Sequence, residues 1–156
     1  TIHHIRFAKA DVDLLEFPLN LEFFEAEFFY MGGSTPLGAK KANLDHFTQD
    51  VILQFAYQEV GHLRAIQKVV KGFPRPLLDL SKESFAKTVD LSPPFDPYYN
   101  GVHFLLASYL IPYVGLTGYV EQFQNSKPLV LEGVESGQDA VIRAYLYEHA
   151  KEIVSP

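Results

Sequence analysis

Glu59-Val60-Gly61-His62 sets a carboxylate and an imidazole three residues apart. On a helix that spacing puts both on one face, where they can reach one metal ion. At ~100° per residue, Glu59 and His62 fall within the arc of Val51, Ile52, Phe55, Leu63, Ile66 and Val69, so both point inward. An inward carboxylate is costly to desolvate unless it is paired, hydrogen-bonded or bound to a cation. Glu25 lies near the centre of a second apolar stripe, made by Leu14, Leu21 and Phe28, and Glu22 sits ~60° away at its edge. Glu27 points away and reads as a solvated acid. Glu135-Ser136-Gly137-Gln138 repeats the Glu-x-x-His form with Gln in the histidine place, flanked by Val134, Val141, Ile142 and Tyr145. The candidate metal ligands are therefore Glu22, Glu25, Glu59, His62, Glu135 and Gln138, with Glu22 and Glu25 competing for the inward place on their helix.

Carboxylates from three helices around one histidine are how two-metal sites are built inside helical bundles. The full set takes a Glu from each of two helices and a Glu-x-x-His from each of the other two. Between Tyr98 and Val120 this chain has no acid at all, and Gln138 offers only a neutral carbonyl oxygen, a weak donor to iron or zinc. One Glu and one His are missing. The same side chains therefore also read as a closed hydrogen-bonded network that fixes the helices in register. His3, His4, His46, His103 and His149 lack metal-ligand spacing apart from the adjacent His3-His4 pair, and suit surface or capping roles.

Four helices must hold these groups. The first is expected from about Asp11 to Met31, with Asp11 or Asp13 as cap, Pro18 as a break, irregularity or true start, and Gly32-Gly33 as its end. Leu14, Phe17, Leu21, Phe24 and Phe28 draw its buried stripe. The second runs from about Asp45 or Thr48 to Lys71, closed by Gly72. From Gly72 to Pro97 five prolines punctuate a long crossover, with a short helix around Lys82 to Val89. The third helix covers about Tyr98 to Glu121, kinked at Pro112, and the fourth runs from about Pro128 to Ile153. A crossover of this length lets the second and third helices of a four-helix bundle lie parallel. The expected architecture is an all-α four-helix bundle in one domain, residues 1–156, with a long crossover between the second and third helices.

Composition agrees with a folded helical domain. In 156 residues, 47 % are apolar and 21 % charged, with thirteen Phe and nine Tyr to fill the core. A net charge of -6 provides no basic footprint for a phosphate backbone, so no nucleic-acid partner is expected. The absence of cysteine excludes disulfides, thiolate ligands and cysteine nucleophiles. Phe104 to Val120 is uncharged but shorter than a bilayer needs and carries Pro112, Gly115 and Gly118, so it reads as a buried helix and no membrane span is expected. The chain opens on Thr1 without a Met or a signal-like apolar segment, as a processed or trimmed product would.

Longer stretches carry a resemblance. LNLEFFEAEFF (19–29), FAYQEVGHLRAIQKVVKGFPRPLLDL (55–80), PPFDPY (93–98), LLASYLIPYVGLTGYV (105–120) and GVESGQDAVIRAYLYE (133–148) resemble the plant desiccation-related proteins of the ferritin-like superfamily, from about Asp11 to Glu152. The resemblance implies a ferritin-like four-helix bundle, a plant source, synthesis with a secretory signal and an extracellular or cell-wall location, and abundance under water deficit. By position it makes Glu22 or Glu25, Glu59, His62 and Glu135 the matches to metal ligands, and sets Pro112 where fuller members place a third-helix Glu. After Tyr30, Asp90 and Val120 the chain skips residues that the family carries.

The leading reading is a non-enzymatic, stress-associated ferritin-like protein whose polar core is a vestige of a metal site. The alternative is a metal-binding oxidoreductase in which Glu25, Glu59 and Glu135 hold one or two ions of iron, manganese or zinc, His62 completes one of them, and the metal activates oxygen or peroxide. A third reading is an interaction module that forms a homodimer through apolar helix faces.

Overall fold

The computed structural model describes residues 9–34, 42–72, 74–122 and 129–154, with side chains at 15–16, 18–33, 42–72, 74–113 and 133–151. Its five described helices are α1 (Lys9–Ser34), α2 (His46–Ile66), α3 (Lys82–Val89), α4 (Gly101–Gln122) and α5 (Leu129–Val154), and there is no strand among the described residues. The four long helices form the bundle, and α3 lies within the crossover from α2 to α4. Two helix pairs make it up, α1 against α2 and α4 against α5, joined chiefly where α1 meets α4.

Local chemistry starts these helices. Asp45 caps α2 by accepting from the Thr48 N–H at 3.0 Å and from the Thr48 hydroxyl at 2.5 Å. Ser81 caps α3 by accepting from the Ser84 N–H at 3.3 Å. Asp90 ends α3 in the left-handed region, its N–H donating to the Ala86 carbonyl. Asn100 Oδ1 accepts from the His103 N–H at 2.8 Å at the start of α4.

Aromatic contacts lock the helices together. Phe28 of α1 stacks on Phe104 of α4 with ring centroids 4.9 Å apart and planes 6° from parallel. Phe29 meets Phe55 of α2 edge-on at 5.7 Å. Tyr98 donates from its hydroxyl to the Leu80 carbonyl at 2.7 Å, which fastens the crossover to this core. A separate apolar cluster of Leu19, Ile66 and Val70 lies beyond it. Along α1 the order is Leu19, Glu22, Glu25, Phe28; along α2 it is Phe55, Glu59, His62, Ile66. The acidic residues therefore occupy a polar layer between two apolar ones.

Several element ends differ from the expectation. Pro18 does not break or start α1 but lies inside it, and Gly32 and Gly33 are helical residues, since α1 continues to Ser34. A Cβ built on Gly32 would run into the Phe104 ring, so this glycine serves a close helix approach and not a stop. Helix α2 ends at Ile66, earlier than Lys71; a turn follows, and Gly72 takes its left-handed φ of 65° beyond it. Helix α4 starts at Gly101 because Tyr98 to Asn100 form a turn tied to Asp96. Pro128 and His3-His4 lie outside the described residues. No helix among the described residues is long and apolar enough to cross a membrane.

Candidate metal centre

Each side chain of the polar layer arrives from an inward helical position. Glu22 and Glu25 project from α1, Glu59 and His62 from α2, and Glu135 and Gln138 from α5. The other five members of this set are at most 1 % exposed, and His62 is 7 % exposed. His62 Nδ1 is the hub: it lies 2.9 Å from Glu22 Oε2, 2.8 Å from Glu59 Oε2 and 3.8 Å from Glu135 Oε1. Glu22, Glu59, His62 and Glu135 each offer one ligand atom, and these atoms all lie within 4.8 Å of one another.

The wheel left Glu22 and Glu25 as alternatives, and both are buried. Glu22 joins the four converging donors, whereas Glu25 stands beside them as a neighbour of Glu135. Gln138 enters as a donor: its Nε2 hydrogen-bonds Glu59 Oε1 and, at 3.1 Å, Gln58 Oε1. Glu27, expected to be solvated, pairs with Arg75 at the surface. His103 stacks on Phe95 at 5.3 Å, with its Nδ1 2.9 Å from the Asp96 carbonyl, and so ties the start of α4 to the crossover.

Electrostatics makes this an unusual interior. Burial, then the charge of Glu59, pushes Glu22 up to about 7 against the pull of its His62 hydrogen bond. Burial, with Glu59 and Glu22 adding, pushes Glu135 up to about 8. Burial and the carboxylates of Glu135, Glu59 and Glu22 hold Glu25 well above the usual range. Burial alone would pull His62 down, but its hydrogen bonds to Glu22 and Glu59 prevail and hold it at about 10. No described lysine or arginine pairs with Glu25, Glu59 or Glu135. Both Glu135 oxygens and His62 Nε2 are buried without a hydrogen-bond partner among the described residues. Orphaned carboxylate oxygens beside clustered acids are what a cation would satisfy. Carboxylate and imidazole donors suit manganese, iron and zinc.

Two features escaped the sequence. Gln58 is exposed on α2, and nothing in its spacing announces that it reaches Gln138 of α5. Ser108 brings a buried hydroxyl from α4 whose Oγ has no hydrogen-bond partner among the described residues, on a helix whose apolar run offered no polar site.

The chain matches the Ferritin-like domain family over residues 10–148. It is 52 % identical over 185 aligned positions to desiccation-related protein PCC13-62 of Craterostigma plantagineum, covering 99 % of this chain and 59 % of that protein. The chain belongs to the ferritin-like family. It is also 51 % identical over 177 positions to the ferritin-like catalase Nec2 of Nesocodon mauritianus, covering 95 % of this chain and 57 % of that protein. This ferritin-like chain thus spans less than two thirds of the curated relatives it matches. The alignment of 185 positions is longer than the chain's 156 residues, so the relative carries residues here that this ferritin-like chain lacks. No solved structure matches it.

Proposed function

We propose that this ferritin-like chain binds a divalent transition-metal ion in its core through Glu22, Glu59, His62 and Glu135, and that the loaded protein is a peroxide- or oxygen-directed oxidoreductase. The carrying observation is the convergence of these four buried donors within 4.8 Å. The catalase relative, matched along nearly the whole of this chain, supports the peroxide assignment. When bound, manganese or iron supplies one-electron redox chemistry and a Lewis-acidic place for a small oxygen ligand. The chain's own residues do the rest. His62 Nδ1 lies within hydrogen-bond reach of both Glu22 Oε2 and Glu59 Oε2, so a proton held among them can leave when a cation arrives. Burial and its acidic neighbours raise the pKa of Glu25 well above the usual range, which favours a proton at the edge of the donor cluster. The apolar layers on either side restrict water.

Elemental mass spectrometry of protein purified from its natural source without chelators tests this. Near-stoichiometric manganese, iron or zinc that disappears in Glu59→Ala/His62→Ala protein, with hydrogen peroxide consumed only by the loaded form, is the expected result. Trace metal in folded, heat-resistant protein would reject it.

A second reading rests on its own observation. His62, Glu22, Glu59 and Gln138 already form a hydrogen-bonded chain that ties α1, α2 and α5 without any ion. On that reading the protein is non-enzymatic, and the polar layer only fixes helix register. Its similarity to a protein named for desiccation suits such a stable, stress-associated role.

A further inference from the structure

Gln138 stands on α5 where the Glu-x-x-His pattern would place an imidazole, yet it faces the cluster with its nitrogen. An amide NH2 has two hydrogens. One goes to Glu59 Oε1 and the other to Gln58 Oε1 at 3.1 Å, while Gln138 Oε1 has no hydrogen-bond partner among the described residues. Chemistry fixes this orientation, because turning the amide over would press its carbonyl oxygen against the Glu59 oxygen, acceptor against acceptor. Gln58 precedes Glu59 on α2 and is exposed, so it reaches Gln138 from the solvent side. Glu59 is thereby held at both ends, Oε1 by Gln138 and Oε2 by His62 at 2.8 Å.

We propose that Gln138, anchored by Gln58, is a positioning residue of the metal centre: it aims Glu59 at the shared donor point and is not itself a metal ligand. The proposal rests on the metal-binding reading above. A rigid carboxylate costs less ordering when the ion arrives than one free to rotate. Hydrogen bonds of this kind to ligating groups are worth 10- to 100-fold in affinity in characterised metal sites. The exposed residue Gln58 becomes a remote control on a fully buried site, which no ligand pattern in the sequence would disclose.

Mn2+ titration of metal-stripped full chain by calorimetry, with melting temperatures recorded for each protein, tests it. Gln138→Met keeps the bulk and removes both hydrogens, and is expected to raise the Mn2+ Kd about 10- to 100-fold. Gln58→Ala changes an exposed side chain, and is expected to raise the Kd in the same direction by a smaller factor with an unchanged melting temperature. Adding Gln58→Ala to Gln138→Met should change nothing further. Wild-type binding with an unaltered Kd in both variants would overturn the proposal and leave these bonds as structure. Tighter Mn2+ binding in Gln58→Ala would also overturn it, because a released Gln138 would then be acting as a ligand through its carbonyl. Altered loading rates at constant Kd would overturn it in favour of a gate. No Mn2+ binding by the wild type would instead sink the metal-binding reading, and this proposal with it.

Discussion

His62 Nδ1 meets Glu22 Oε2 at 2.9 Å across 40 residues of chain, and this contact is a polar tie between α1 and α2. Both partners are buried, so removing either takes a buried ionic contact from the other, while His62 keeps Glu59 at 2.8 Å. Glu22→Ala and His62→Ala should each cost about 3–5 kcal/mol, the range for breaking a buried ion pair. The double variant should cost less than the two single costs added together, by about 0.5–3 kcal/mol. Urea denaturation of the four proteins in metal-free buffer measures this. Strict additivity would mean that the two side chains are not coupled.

The acidic layer gives the metal-free protein an inverted pH dependence. Glu22, Glu135 and His62 all have folded-state pKa values above their ordinary ones. A group raised on folding contributes stability that is complete below its unfolded pKa and lost as pH rises through its folded pKa. The windows run from 4.5 to about 7 for Glu22, from 4.5 to about 8 for Glu135 and from 6.5 to about 10 for His62. Melting temperature in chelator should therefore fall steadily from pH 5 to pH 9, and Glu135→Gln should flatten the lower part of that slope. A melting temperature that climbs over this range would contradict the clustered-acid account.

A cation should reverse that loss. At pH 8 the layer carries more unbalanced negative charge than at pH 5, and a ligand at a hundred times its Kd stabilises the folded state by about 2.7 kcal/mol. For a domain of this size that is about 5–10 °C in melting temperature. Scanning fluorimetry with added Mn2+ should show the rise in the wild type and none in Glu59→Ala/His62→Ala protein. An equal rise in both would place the ion elsewhere on this acidic surface.

How much of this could be read from residues alone follows from what each residue answers to. The bundle was legible because Ile52, Phe55, Ile66 and their like repeat at helical spacing, and because Asp45 and Ser81 cap through contacts three residues away. Glu59, His62 and Glu135 were legible as inward groups for the same reason. Glu22 and Glu25 were not separable, since ~60° on a wheel is smaller than the arc a buried helix face covers; the facing imidazole of His62 decides between them. Gly32 misled because a glycine at a helix end and a glycine under an aromatic ring look alike until Phe104 is in place. Gln58 was hidden because its partner is 80 residues distant, on another helix.

That ambiguity of glycine yields a last test, in which one substitution has opposite signs at different positions. Alanine is favoured over glycine inside a helix by about 0.8–1.0 kcal/mol. At Gly61 and Gly137 an added Cβ meets nothing within 4 Å, so Gly61→Ala and Gly137→Ala should each stabilise the protein by up to that amount. At Gly32 the same methyl collides with Phe104, which is fully buried and stacked on Phe28, so its ring has nowhere to retreat. Overpacking of this kind costs about 1–3 kcal/mol, more than the helical preference returns. Gly32→Ala should therefore destabilise, and Gly32→Ala/Phe104→Leu should recover part of the loss relative to Phe104→Leu alone. Thermal melts of these variants decide it, and a Gly32→Ala protein as stable as Gly61→Ala would mean that α1 and α4 do not pack as closely as the Phe28–Phe104 stack requires.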